Sequence, residues 1–166
     1  MKKTTVYFDL DGTLFDLYGK TNWLDFLENE KSGIFIEGDF MPNIEIGKLL
    51  ELIGRLLSYG VNFEVITWLP KQASKNYEEI CEKEKRIWVE KNLPFIKKIN
   101  CQSYGTPKQK AINQKTSRMI LIDDNEDICR NWETKTQRKS YKVDKSFSAV
   151  NALQDLLSKI EGGEWA

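Results

Sequence analysis

Residues 4–16, "TTVYFDLDGTLFD", decide how the rest of the chain is read. Val6, Tyr7 and Phe8 make the β-branched and aromatic run expected of a buried strand, yet that run ends in Asp9 and Asp11 and then a Gly12-Thr13 turn. If extended geometry persists to residue 11, alternation puts both carboxylates on one side. Carboxylates so placed repel and raise each other's pKa unless a proton or cation sits between them. A hard divalent ion such as magnesium, bound through oxygen, suits that geometry. Gly12 permits the tight turn, and backbone N–H groups of the Gly12-Thr13 turn are then able to face an anion.

Outward from this stretch, strand and helix periods alternate. Residues 61–67, 98–103, 118–123 and 139–143 join 4–9 as five expected strands. Between them, Ile46, Leu49, Leu50, Ile53, Leu56 and Leu57 mark one helix that Gly60 stops. Tyr77, Ile80, Cys81, Ile87 and Trp88 mark a second, and Val150, Leu153, Leu156, Leu157 and Ile160 a last. These stripes are core faces. The alternation predicts an α/β fold, a mainly parallel sheet of about five strands covered on both sides, with ligands bound at the carboxyl ends of the strands. No repeat or linker divides the chain, so residues 1–166 read as one domain. Residues 15–43 break the alternation: they carry Tyr18, Trp23, Phe26, Phe35 and Phe40 without a long regular pattern, and form a small cap-like insertion, either a lid or a surface flap.

The other strand ends supply matching chemistry. The second ends at Thr67, a hydroxyl donor suited to a phosphate oxygen, followed by Trp68. After the third, Lys108 and Lys110 offer ammonium groups, and the fourth ends in Asp123 and Asp124. Alone, each is an ordinary turn, strand or surface residue. Together they form an acidic metal site ringed by hydroxyl and ammonium donors, an arrangement for phosphoryl transfer.

Composition narrows the chemistry further. The 166 residues contain 25 basic and 25 acidic side chains, so there is no strong nucleic-acid signature, and no histidine, so carboxylates must do any proton transfer or metal binding. Cys81, Cys101 and Cys129 are dispersed and read as reduced core residues. With neither a signal-peptide run nor a membrane span in the sequence, the expected location is the cytoplasm. The pattern of an EF-hand loop fails at Tyr7, and neither GxxxxGK[ST] nor GxGxxG occurs.

"FDLDGTLFD" (8–16), "VITW" (65–68), "YGTPK" (104–108) and "MILIDD" (119–124) resemble motifs one to four of the haloacid dehalogenase-like (HAD) superfamily, most closely its 5'(3')-deoxyribonucleotidase-like and small phage- or bacterium-type phosphatases. The resemblance implies a Rossmann-like three-layer core and a magnesium-dependent phosphatase with an aspartyl-phosphate intermediate. It makes Asp9 the nucleophile and Asp11 the general acid and base, with the Asp11 backbone carbonyl on the metal. Thr67 then holds the phosphoryl group, and Lys108, or alternatively Lys110, neutralises charge. Asp124 is the first choice as motif-four metal ligand, with Asp123 a second ligand or outer partner; Asp127 and Asn131 are further candidates for the shell. The insertion is shorter than the helical cap with which deoxyribonucleotidases grip a nucleoside, so the substrate stays open between a small phosphate ester, a nucleotide among them, and a macromolecule that covers the site itself. Trp23, Phe26 and Trp68 either stack on a base or pack locally. Two non-hydrolase readings are a receiver-like signalling domain, disfavoured by Asp11, and a binding protein that kept the fold without turnover. Oligomeric state is not encoded in any feature of the sequence.

Overall fold

The computed structural model describes residues 3–112 and 118–164. Five strands, β1 (Thr4–Phe8), β2 (Val61–Trp68), β3 (Lys98–Gln102), β4 (Arg118–Asp123) and β5 (Ser140–Lys142), form one sheet in the order β3-β2-β1-β4-β5, with every neighbouring pair parallel. The helices are α1 (Trp23–Glu28), α2 (Ile46–Ser58), α3 (Lys75–Asn92), α4 (Glu126–Thr136) and α5 (Ala149–Glu161), with a 3₁₀ turn at Lys108–Ala111. The alternation read from the sequence is therefore the observed α/β architecture. The helix at α4 was not singled out there: its apolar stripe is only Ile128, Cys129 and Trp132, and its start is set by Asn125, whose side chain accepts from the Asp127 and Ile128 N–H groups.

Alternation along each strand splits the core in two. Val6 and Phe8, beside Phe63, Val65, Ile120 and Ile122, belong to a large cluster completed by α2 and α5, whose faces contribute Leu49, Leu52, Leu153 and Leu156. On the other face Tyr7, Ile66, Met119 and Leu121 pack around Trp132 of α4. Both faces are covered, as parallel sheets require.

The insertion at 15–43 has one short helix, α1, and is held down by aromatic packing: Phe15 and Phe40 each lie 5.1 Å, centroid to centroid, from the Trp88 ring of α3. Polar ties reinforce it. Glu84 accepts from the Gly33 and Phe35 N–H groups, and Glu30 accepts from the backbone N–H and hydroxyl of Ser74 at the start of α3. Cys81 and Cys129 are buried, Cys101 is half-buried, and all three are free thiols. Among the described residues no helix is long and apolar enough to cross a membrane.

What positions a site is the strand order. Winding runs from β1 through β2 to β3, then jumps back across the sheet to β4, so β1 and β4 are neighbours at a point where the connections leave in opposite directions. Such a switch point opens a crevice at the carboxyl ends of the two strands.

Candidate active site

Regular pairing in β1 stops at Phe8, one residue short of the expected strand, with Asp9 N–H donating to the Ile122 carbonyl at 2.9 Å. The strand geometry assumed for Asp11 thus does not persist. A tight turn follows in which Thr13, Leu14 and Phe15 N–H groups all donate to the Leu10 carbonyl, and Gly12 N–H donates to that of Phe15. Gly12 and Thr13 therefore spend their N–H groups inside the turn, and the expectation that these would face an anion does not hold. Gly12 is needed for another reason: its φ is +80°, and a Cβ there would clash with the Asp124 carboxylate and lie 2.9 Å from the Tyr18 ring. The Thr13 hydroxyl donates to Asp124 Oδ1 at 3.3 Å.

Asp9, Asp11, Asp123 and Asp124 nevertheless line one cavity of about 360 Å³, together with Lys108 and Trp68. Asp9, Asp123 and Asp124 each place a carboxylate oxygen within 4.8 Å of the other two, the one such group among the described residues. Burial, and then the Asp9 charge, push Asp124 up to about 6 and raise Asp123 as well. Asp123 Oδ2 is buried without a hydrogen-bond partner among the described residues. An all-oxygen triad with an orphaned oxygen and raised carboxylate pKa values has the chemistry of a hard divalent cation site. Asp127, 91% exposed at its side chain and facing Arg130, and exposed Asn131, bonded to Gln109, lie outside the triad.

Lys108 settles on Asp9. It is 2% exposed, donates to Asp9 Oδ1 at 2.6 Å and to the Ile66 carbonyl at 2.7 Å, and lies 3.6 Å from Asp123 Oδ2. Burial opposes its charge, but Asp9 and Asp123 outweigh that and hold its pKa above the ordinary lysine value. Lys110, the alternative, is exposed and absent from the cavity wall, because the 3₁₀ turn sends positions two apart to different sides. Trp68 fixes this loop as well as walling the cavity: its indole N–H donates to the Thr106 carbonyl at 2.7 Å, and its ring lies 4.9 Å from that of Tyr104.

Among solved structures, the chain matches the D,D-heptose 1,7-bisphosphate phosphatase from Burkholderia thailandensis over 95% of its own length and 100% of that chain, with a TM-score of 0.54 and 15% sequence identity. The two share a fold. No protein-family model matches the sequence, and no curated protein does.

Among the site residues that the sequence did not single out are Lys85 and Tyr18. Lys85, on α3, is 1% exposed and donates to Asp11 Oδ2 at 2.6 Å, Thr67 Oγ1 at 2.9 Å and the Trp68 carbonyl at 2.7 Å. Burial raises the Asp11 pKa from its ordinary value, although Lys85 works the other way. Thr67 is fully buried and does not reach the cavity wall; its hydroxyl is engaged by Lys85. The second is Tyr18, which lines the cavity at 5.1 Å from Trp23, so that two aromatic pairs, Tyr18-Trp23 and Trp68-Tyr104, contribute to its walls. Phe26 packs against the main core instead.

Proposed function

We propose that the chain is a magnesium-dependent phosphomonoester hydrolase of the haloacid dehalogenase-like type, acting on a nucleotide or another small phosphate ester through an aspartyl-phosphate intermediate. The observation that carries this reading is the separation of duties between two carboxylates at one strand end: Asp9 is clamped by Lys108 beside Asp123 and Asp124, and Asp11 stands in the same cavity with its own cation, Lys85. Asp9, Asp123 and Asp124 would hold the metal, with the Asp11 carbonyl as a further oxygen; the ion supplies charge neutralisation for the phosphoryl oxygens.

The protein's own groups do the rest. An Asp9 oxygen attacks phosphorus and the bond to the leaving oxygen breaks, while Asp11 gives that oxygen its proton. Asp11 then takes a proton from water, whose oxygen attacks phosphorus and releases inorganic phosphate and free Asp9. Lys108 offsets the charge that builds on Asp9 and the phosphoryl group. The two aromatic pairs favour an ester with a flat leaving group, and this supports the nucleotide choice.

The test is phosphate release from nucleoside 5'- and 3'-monophosphates, sugar mono- and bisphosphates and p-nitrophenyl phosphate, with magnesium or with chelator. Release that requires magnesium, fastest with a nucleotide, is the expected result. A sugar phosphate as best substrate would overturn the nucleotide choice, and silence across the panel would overturn small-ester hydrolysis.

A stability measurement checks the metal centre separately. Asp124 has a raised folded-state pKa, so its penalty on the folded protein is absent below the unfolded value of 3.8 and complete above about 6. Asp124→Asn keeps the oxygen that accepts from Thr13 and removes the charge. At pH 7.5 in chelator the variant is expected to melt a few degrees above the wild type, a gain of about 1 kcal/mol. Magnesium should raise the wild-type midpoint and move that of the variant less. Equal magnesium shifts would place the metal elsewhere.

A further inference from the structure

The mechanism above gives work to Asp9, Asp11 and Lys108 and leaves a second buried lysine unused. An ammonium has three N–H donors, and Lys85 has three acceptors: Asp11 Oδ2, Thr67 Oγ1 and the Trp68 carbonyl. The Phe35 ring, 4.6 Å from Nζ, covers it, and Phe35 is itself fastened to the preceding residue of α3 through its N–H and the Glu84 carboxylate. With all its donors committed, Lys85 has none left for a substrate. It acts on its neighbours.

Its effect on Asp11 is to remove a choice. Oδ2 is held, and Oδ1, buried and without a hydrogen-bond partner among the described residues, is the oxygen left to exchange a proton. Thr67 belongs to the frame that holds Nζ: its hydroxyl accepts from Lys85 and donates to the Trp68 carbonyl at 3.5 Å. The site then carries two separate lysine-aspartate pairs, Lys108 with the attacking carboxylate and Lys85 with the proton-transfer carboxylate.

We propose that Lys85 is a positioning residue for phosphomonoester hydrolysis, fixing Asp11 so that Oδ1 delivers the proton to the leaving oxygen. This rests on the hydrolase reading above. Atoms balance as they do there, since Lys85 neither gains nor loses a proton.

Leaving-group dependence tests it. A good leaving group such as p-nitrophenolate departs with little help from an acid, whereas the alkoxide of a nucleoside monophosphate needs the proton. In single-turnover release of the alcohol with magnesium, Lys85→Met is expected to lose about 10²–10³-fold on a nucleoside monophosphate and less than about tenfold on p-nitrophenyl phosphate. Lys85→Arg should recover part of the loss. A purely structural role would depress both substrates alike, and that result would overturn the assignment. Because the single variant leaves the Asp11 carboxyl without its buried cation, the double variant Asp11→Asn, Lys85→Met is measured against Asp11→Asn alone. Less than about a threefold further loss is expected if Lys85 works through Asp11; a further loss as large as in the wild-type background overturns it. A wild-type protein inactive on every ester would instead sink the hydrolase reading, and the role of Lys85 with it.

Discussion

Asp9→Asn is expected to abolish magnesium-dependent phosphate release, by at least about 10⁴-fold, and to leave the protein folded. An amide cannot attack phosphorus at a useful rate, and no second carboxylate replaces it: Asp11 is held by Lys85, and Asp123 and Asp124 belong to the acidic triad. The fold should tolerate the change because the backbone bond from Asp9 N–H to Ile122 is untouched, and the asparagine oxygen still accepts from Lys108. Removing a charge beside Asp123 and Asp124 also relieves repulsion that raises both their pKa values. Initial rates with the best ester of the panel, beside a thermal melt in chelator, make the check. A variant within tenfold of wild type would mean that water attacks phosphorus directly and that Asp9 only binds the metal. Loss of activity together with loss of folding would be uninformative by itself, and the melt excludes it.

That prediction comes almost entirely from what the sequence carried. The buried run Val6-Tyr7-Phe8 interrupted by two carboxylates marked the candidate site, and alternating strand and helix periods located the crevice, because both are local patterns enforced by one backbone geometry. Lys85 lies in "EKEKR", where its neighbours are charged and its type argues for solvent. A signal was there: Tyr77, Cys81 and Trp88 set an apolar stripe on α3, and Glu84 and Lys85 fall on it, seven and eight residues after Tyr77. A charge on a core stripe needs a buried partner, and the partner lay 74 positions away at Asp11. The insertion was opaque for the same reason. Phe15, Phe35 and Phe40 have no common period; Phe15 and Phe40 meet at Trp88 and Phe35 packs on Phe15, contacts between distant positions that help hold so short a segment against the core. The sequence preferred Lys108 to Lys110 only through the resemblance of YGTPK to a motif, since the physical difference depends on a 3₁₀ turn pinned from outside by Gln102 and Trp68 through the Pro107 and Thr106 carbonyls.

That pinned turn makes Lys108 the position where stability and activity fail together. Lys108→Met fills nearly the same space without the charge, leaving Asp9 and Asp123 buried beside Asp124 with no ion pair to them among the described residues. Removing one partner of a buried ion pair costs about 3–5 kcal/mol, so in chelator the melting midpoint is expected to fall by roughly 10 °C. Magnesium should recover part of that fall, because a divalent ion among the same carboxylates restores some of the missing positive charge. Turnover should not recover with it. A cation placed against the attacking carboxylate is worth about 10²–10³-fold in kcat, and a metal held by the carboxylates would not replace the N–H that Lys108 gives Asp9 Oδ1. Lys110→Ala is the control: exposed and off the cavity wall, it should move the midpoint by less than about 0.5 kcal/mol equivalent and leave the rate within twofold. Melts with and without magnesium, beside initial rates for both variants, separate the two lysines. A Lys110→Ala protein slower than Lys108→Met would assign charge neutralisation to the other lysine. A Lys108→Met protein whose rate returns with its stability would reduce Lys108 to a structural counter-ion.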